Sequence, residues 1–460
     1  MGARYGDNEP MRTPPIHDAV TAILLHGEDL FLAQRHPALP AFSGYYAFPG
    51  GKVDREDTDT PLPHAHFAGQ PPRLMRALAR ELQEELAFDL FAACDAGLVE
   101  QLVCLGEVTT PAFAPLRFRT WFYKIVLRER PALTLDPGES VAGDWLPVSE
   151  WRRRFEAGRL LVAPPTRIAI EAIDADRHVV ALPPLDLDFS DNEIPWVEPL
   201  GGLRILLVRS NTLPPAAHTN VFWFGGAGAP RVLVDPSPAD RAELERLCRR
   251  LDEFGVDLVF LTHHHPDHRE YADEIARRYR VPLGLSADTH ARIQARAAGY
   301  FDGIEVRHFA EGDLLTQWQG EPVRLVAVPG HDEGQLAPMA ESRAWCIVGD
   351  LIQGIGTVVI APPEGNMRKY FDSLRKIIAL DPAVIIPSHG LALGGTHFLK
   401  TALKHREQRE QQIHQRHSAG LSEDQILGEI YRDVDPRLLP LARLNIRSHL
   451  AKLREDGAIA

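Results

Sequence analysis

The chain is short of cysteine: Cys94, Cys104, Cys248 and Cys346 are the only four in 460 residues, and no two form a CxxC pair. That excludes a thiolate zinc site and a disulfide framework, and leaves buried, reduced thiols of a cytosolic protein. Long apolar runs are missing too. None approaches the ~20 uncharged residues of a membrane span, and the opening MGARYGDNEPMRTPP lacks the apolar core of a signal peptide. Met1-Gly2 opens like a myristoylation site, but Gly6 stands where Ser or Thr is needed. Positive charge is in deficit, with 50 Lys and Arg against 63 Asp and Glu and a net charge of −13. Such a chain does not coat nucleic acid by bulk electrostatics, although a local basic patch stays open. These absences point to a cytoplasmic protein with no membrane association.

What is present suffices for large cores: 45% apolar and 25% charged residues fit a globular chain, and the length suggests about three domains. There is no internal repeat. The Pro- and acid-rich stretch at 181–200 sustains no period, and strand-like, Gly-rich sequence gives way to charged helical sequence near 398. We therefore expect a domain over 1–185, a linker over 186–198, a domain over 199–397 and a tail over 398–460. In the first, 19–25, 29–34 and 119–127 read as strands, and 72–86 as a helix with Leu74, Leu78, Leu82 and Leu86 on one stripe. In the second, strands at 203–208, 219–224 and 231–234 precede an alternation of helix 239–254, strand 256–261 and helix 269–279, an α/β pattern. The tail reads as helices at 400–417, 422–432 and 437–456, with Ser422 as an N-cap and Gly457 as a stop.

The segment DLVFLTHHHPDH (257–268) runs an apolar strand into a loop with His263, His265, Asp267 and His268. Two histidines two residues apart on an extended loop can face one cation, while Asp267 and His268 turn toward a second. His264, between them, points away. RLVAVPGHDEG, AWCIVGDLI and AVIIPSHG each end an apolar run in one more ligand type: His331, Asp350 and His389. A lone histidine after a strand is ordinarily packed or at the surface. Four ligand types in six positions, then three more at strand ends, are hard to obtain by accident. His and carboxylate donors suit zinc ahead of iron or manganese, and a shared carboxylate such as Asp350 can bridge two cations about 4 Å apart.

THHHPDH resembles the HxHxDH motif of the metallo-β-lactamase fold, and His331, Asp350 and His389 fall where that superfamily has its later ligands. The resemblance spans roughly residues 200–398. It implies an αββα sandwich with two metals at one edge. His263, His265 and His331 would hold the first metal, Asp267, His268 and His389 the second, and Asp350 would bridge them. Asp235, in VLVDPSP, matches an early aspartate of structural role. The downstream TVVIAPPEGNMRKYFDSLRKIIAL, HREQREQQI and LARLNIRSHLAKLREDGAIA are similar to the β-lactamase-like proteins, which carry a winged-helix-like tail and include an endoribonuclease acting on single-stranded RNA. Leu391 stands where that family often has Pro. The tail's Lys404, Arg406, Arg409, Arg443, Arg447, Lys452 and Arg454 could hold RNA phosphates. The interleaved Glu407, Glu410 and Glu455 favour a solvated, ion-paired helix instead.

In the first domain YYAFPGGKVD ends a strand in a Gly-rich turn at Gly50 and Gly51, and RELQEEL (80–86) places Glu81, Glu84 and Glu85 at i, i+3, i+4 on one helical face. Like charges at that spacing repel, and a bound Mg²⁺ or Mn²⁺ would reverse the cost while contacting substrate phosphates. Together these resemble the Nudix box, with Trp145 after Glu139 and APPTRIAIEAI (163–173) as further matches. The resemblance spans about 16–178 and implies a Nudix α/β/α sandwich. Residues 52–79 intervene between Gly51 and Arg80, longer than the compact box, and with Asp57 this looks like the coenzyme A diphosphatase type. Ala87 replaces the box glycine.

The expectation is thus an α/β and α+β multidomain metal-dependent hydrolase. A dinuclear zinc centre, with Asp267 and Asp350 as its catalytic carboxylates, would hydrolyse an ester, thioester or phosphodiester through metal-bound hydroxide. A Nudix-like head, with Glu81, Glu84 and Glu85 binding Mg²⁺ or Mn²⁺ and Gly50 and Gly51 approaching phosphate, would hydrolyse or bind a nucleoside diphosphate or coenzyme A derivative. The rivals are an endoribonuclease on single-stranded RNA, and a head that only senses nucleotide.

Overall fold

The computed structural model describes residues 15–111, 117–183, 192–226 and 228–459. The described residues fall into two compact units: those within 1–36, 46–153 and 162–189 make one, and those within 37–45, 154–161 and 190–460 the other. Of the expected linker, 186–191 lies outside the described residues, and its last residues already belong to the strand Trp196–Leu200. All four cysteines are free, and among the described residues no helix is long and apolar enough to cross a membrane.

In the first unit Ile16–His26 runs parallel to Arg117–Leu127, from Ile16 opposite Arg117 to Leu25 opposite Val126, and antiparallel to Asp29–Arg35. Val99–Thr109 pairs with the far side of Arg117–Leu127, while Tyr46–Ala47 and Ser140–Pro147 both pair with Asp29–Arg35. The helix Pro72–Leu86 starts on a proline, whose fixed φ suits the first turn. Its stripe of Leu74, Leu78, Leu82 and Leu86 is fully buried with Val20, Ala22, Leu24, Tyr123 and Ile125. Each such leucine contributes about 1.5–3 kcal/mol, which commits the opposite face, with Glu84, to solvent.

The second unit holds two sheets. One orders its strands as Val306–His308, Leu283–Leu285, Leu258–Phe260, Ala229–Val234, His218–Gly226, Leu203–Arg209 and Trp196–Leu200; the other as Leu314–Trp318, Glu321–Ala327, Leu336–Ala340, Cys346–Gly349, Val384–Pro387 and Leu393–Gly394. Alternation along His218–Gly226 assigns the layers. Val221 and Trp223 face helices Arg241–Phe254 and Ala272–Tyr279, whereas Phe224 points the other way and meets Trp345 edge-on at 5.1 Å. Helix Met367–Leu380 covers the second sheet through Tyr370, Phe371 and Leu374. The result is the αββα sandwich. Behind it the tail folds as His397–Ser418, Glu423–Ile430 and Leu439–Glu455, the second opened by a capping box between Ser422 and Gln425. The single helix expected at 269–279 is broken: Pro266–Arg269 is one turn, Tyr271 is left-handed at φ 61°, and Ala272–Tyr279 follows.

Candidate metal centre

Each ligand-type residue sits just past the end of a strand. His263, His265, Asp267 and His268 follow Leu258–Phe260, His331 follows Glu321–Ala327, Asp350 follows Cys346–Gly349, and His389 follows Val384–Pro387. The break at Tyr271 makes Pro266–Arg269 a separate turn, which carries Asp267 and His268. Donor atoms then gather into two triads, His263 with His265 and His331, and Asp267 with His268 and His389. In the first, His265 Nδ1 lies 3.1 Å from His263 Nε2 and 2.9 Å from His331 Nε2. In the second, Asp267 Oδ2 lies 3.9 Å from His268 Nε2 and 3.7 Å from His389 Nε2. Asp350 spans both: Oδ1 is 3.6 Å from His268 Nε2 and 3.5 Å from His389 Nε2, and Oδ2 is 3.6 Å from His331 Nε2.

The outer nitrogen of each ring is held by a fixed partner, which aims the inner one. His331 Nδ1 donates to Val359 O and His389 Nδ1 to His218 O, both at 2.9 Å. His268 Nδ1 lies 2.9 Å from Asp235 Oδ2, and the same buried carboxylate accepts from Thr262 N and Thr262 Oγ1. His265 turns Nε2 toward Glu364 Oε2 at 3.4 Å, and Arg296 holds Glu364. His264 points away from both triads, its Nδ1 2.5 Å from Asp332 Oδ2. His264, His265 and Glu364 also lie close together, but Arg296 bonds both His264 and Glu364, so a cation already fills that place. Such partners fix tautomer and orientation in metal sites. Sequence reasoning missed Glu364 and the two carbonyls, since a Pro-Pro-Glu-Gly loop has no ligand signature.

Electrostatics follow from burial among like groups. Burial and the neighbouring His265 ring bring His331 down to about 4, and burial with His268 and His265 holds His263 well below its usual range. His268 is buried too, yet Asp350, Asp267 and Asp235 raise it well above. Burial would raise Asp350, but His389 and His268 hold it well below the carboxylate range. Two buried atoms facing each other, His268 Nε2 and Asp350 Oδ1, lack a hydrogen-bond partner. Buried polar atoms rarely stay so, and a cation at the second triad would satisfy both.

In the first unit the turn at 49–51 lies along Ile16–His26, with Val20 N donating to Gly51 O and Ala22 N to Pro49 O. A side chain at Gly50 would meet Val20 O at 2.2 Å, and one at Gly51 would meet Glu81 Oε1 at 2.5 Å. Gly50 N donates to Glu85 Oε2 at 3.2 Å. Arg80 bonds Glu81, the exposed Glu84, Asp57 and Lys52 O, tying the helix to its preceding loop. Burial, reinforced by Glu81, pushes Glu85 up to about 8. Glu81, Glu84 and Glu85 share a face but do not converge as a three-donor group; such groups among the described residues all lie in the second unit. A cavity of about 520 Å³ at the start of the helix is lined by residues including Asp18, Asp54, Arg55, Arg73 and Arg119.

Comparison with known proteins matches residues 215–389 to the metallo-beta-lactamase superfamily and 422–460 to the beta-lactamase associated winged helix domain. The chain is 30% identical over 193 residues to a hydroxyacylglutathione hydrolase of Acidiphilium cryptum, covering 41% of this chain and 72% of that protein. The chain belongs to the metallo-beta-lactamase superfamily. Another superfamily relative is the Beta-lactamase-like protein 2 homolog of Drosophila melanogaster, 27% identical over 259 residues, which are 52% of this chain and 84% of that protein. A solved Nudix hydrolase from Alicyclobacillus acidocaldarius aligns with 35% of this chain and 92% of its own at a TM-score of 0.31 and 22% identity, too slight a likeness to establish a fold.

Several basic side chains in the tail of this superfamily member are engaged within the protein. Arg443 and Arg447 bond Glu423, Lys452 bonds Glu410 and Asp456, Arg409 stacks on Tyr431, and Arg406 is buried. Glu407 and Glu455 pair with Arg375 and Arg368. Lys404 is exposed.

Proposed function

We propose that the second unit is a dinuclear zinc hydrolase acting on a small thioester or ester. The observation that carries it is Asp350, one oxygen directed at each triad. Two cations held there would lower the pKa of a water toward about 7 and polarise the scissile carbonyl. The chain's own residues do the rest. His263 Nε2, His265 Nδ1 and His331 Nε2 hold the first position; Asp267, His268 and His389 hold the second. Asp235, Glu364 and the carbonyls of Val359 and His218 keep the rings from turning. No serine or cysteine nucleophile is required. The relative named a hydroxyacylglutathione hydrolase supports a thioester, since its named substrate joins acyl to sulfur. The ion-paired tail and the charge of −13 weigh against single-stranded RNA. The test is a parallel assay of the full chain on labelled single-stranded RNA and on acyl-glutathione and acyl-coenzyme A thioesters, with and without chelator. Chelator-sensitive thioester cleavage is expected; cleavage of RNA alone would reverse the assignment.

We further propose that the first unit is a Nudix-like head for a nucleoside diphosphate or coenzyme A derivative, with Glu81, Glu84 and Glu85 serving Mg²⁺ or Mn²⁺. Its support is the Gly-Gly turn packed on Glu81 and bonded to Glu85. A broad diphosphate panel with both metals tests it. Nucleotide binding without product would leave the head as a sensor.

A further inference from the structure

We propose that the helical tail positions a ligand of the metal centre: Asn445 and Arg406 clamp the segment 358–360, whose middle carbonyl orients His331. This rests on reading His331 as a ligand of the first triad. Three consecutive residues carry it. Arg406, on helix His397–Ser418, donates from its guanidinium to Val358 O. Ile360 N donates to Asn445 Oδ1 at 2.9 Å, from helix Leu439–Glu455. Between them, Val359 O accepts from His331 Nδ1 at 2.9 Å. Val358 O and Ile360 N face the tail while Val359 O faces His331, since the C=O and N–H of the trans peptide joining 359 and 360 point to opposite sides.

The segment belongs to no strand, so its polar groups depend on side chains. The side chains of Val358 and Ile360 are buried in the core beneath, which leaves the backbone little room to turn toward water. A buried N–H without a partner costs about 1–3 kcal/mol, and Asn445 supplies that partner. Asparagine is a poor helix former, and arginine is almost never buried unpaired. Asn445 and Arg406 nevertheless lie inside, 7% and 4% exposed. Arg406 also stacks 5.6 Å over Tyr370, whose hydroxyl donates to Leu351 O, next to the bridging Asp350. The tail thus touches the backbone behind His331 directly, and the backbone beside Asp350 only through Tyr370.

The test is metal binding by the full chain, read by Co²⁺ absorption and chelator competition. Wild type should take up two ions. Asn445→Ala should weaken one of the two by about 10–100-fold, the usual effect of losing an outer partner, and change that ion's absorption while the other persists. Arg406→Met, acting from the other helix, should weaken the same ion. Asn445→Asp keeps the acceptor and should restore most of the affinity. Ile426→Ala empties the tail's own core without touching 358–360 and should lower the melting temperature but leave both affinities alone. Wild-type affinities in Asn445→Ala, or equal losses in Ile426→Ala, would overturn the clamp while the metal centre stood. Fewer than two ions in the wild type would overturn the metal-centre reading and the clamp with it.

Discussion

At the scale of residues, the centre is a set of rings whose inner nitrogens are exposed to one another because their outer nitrogens are engaged. Asp350 directs one carboxylate oxygen at each triad. Asp350→Ala should therefore reduce thioester turnover by at least about 10²-fold, the scale of several kcal/mol of lost charge stabilisation, and drop the metal content below two per chain. Wild-type turnover would show that Asp350 is no bridge. Glu364→Ala frees the far nitrogen of His265 and should weaken metal binding by about 10–100-fold in a chelator titration. In the other unit Glu85 sits at about 8 against an ordinary 4.5. Between those values the native state keeps a proton that the unfolded chain has lost, so stability falls as pH rises through that window. Calorimetry in chelator should show the transition of this unit moving down from pH 4.5 to 8, and Glu85→Gln should flatten that slope. An unchanged slope in the variant would place the titrating group elsewhere. That the ligand-type residues would gather was legible because their types and spacing are chemistry. Glu364, Val359 and His218 were not, because a carbonyl carries no residue signature and a distant glutamate no period.

Elements explain why these residues meet. Every ligand-type residue follows a strand, 258–260, 321–327, 346–349 or 384–387, and elsewhere in this unit the apolar runs read in sequence fall inside the strands 203–209, 218–226 and 229–234. The helix 72–86 also matched in both bounds, since its leucine stripe and starting proline agree. The helix at 269–279 did not. Its periodicity is unbroken, but the chain turns between Pro266–Arg269 and Ala272–Tyr279, with Tyr271 in the left-handed region. No propensity scale shows such a break in advance. The glutamate helix ends in comparable strain at Ala87, with φ 52° and ψ 33°. A Cβ is unfavourable there by about 1–2 kcal/mol, partly offset by the extra freedom glycine gives the unfolded chain. Ala87→Gly should stabilise this unit by about 0.5–1 kcal/mol, measurable by denaturant titration. Destabilisation would mean that the methyl group's packing outweighs its strain.

Over the whole molecule, charge and the tail bear on the substrate. The net charge is −13, and two of the tail's arginines, Arg443 and Arg447, are already paired with Glu423. Arg443 and Arg447, weighed in sequence as possible RNA contacts, lie beside Glu423, an acid that folding brings near. Helical spacing alone could not show that pairing, nor that Asn445 and Arg406 point inward. The tail was legible as helices and not as a clamp. The substrate reading depends on the two-metal centre proposed for the second unit. Elemental analysis of the full chain, purified without chelator and assayed on a thioester, tests it most directly. Two transition-metal ions per chain, with activity lost on their removal and regained on zinc addition, is the predicted result. A folded chain that is free of metal and fully active would contradict it.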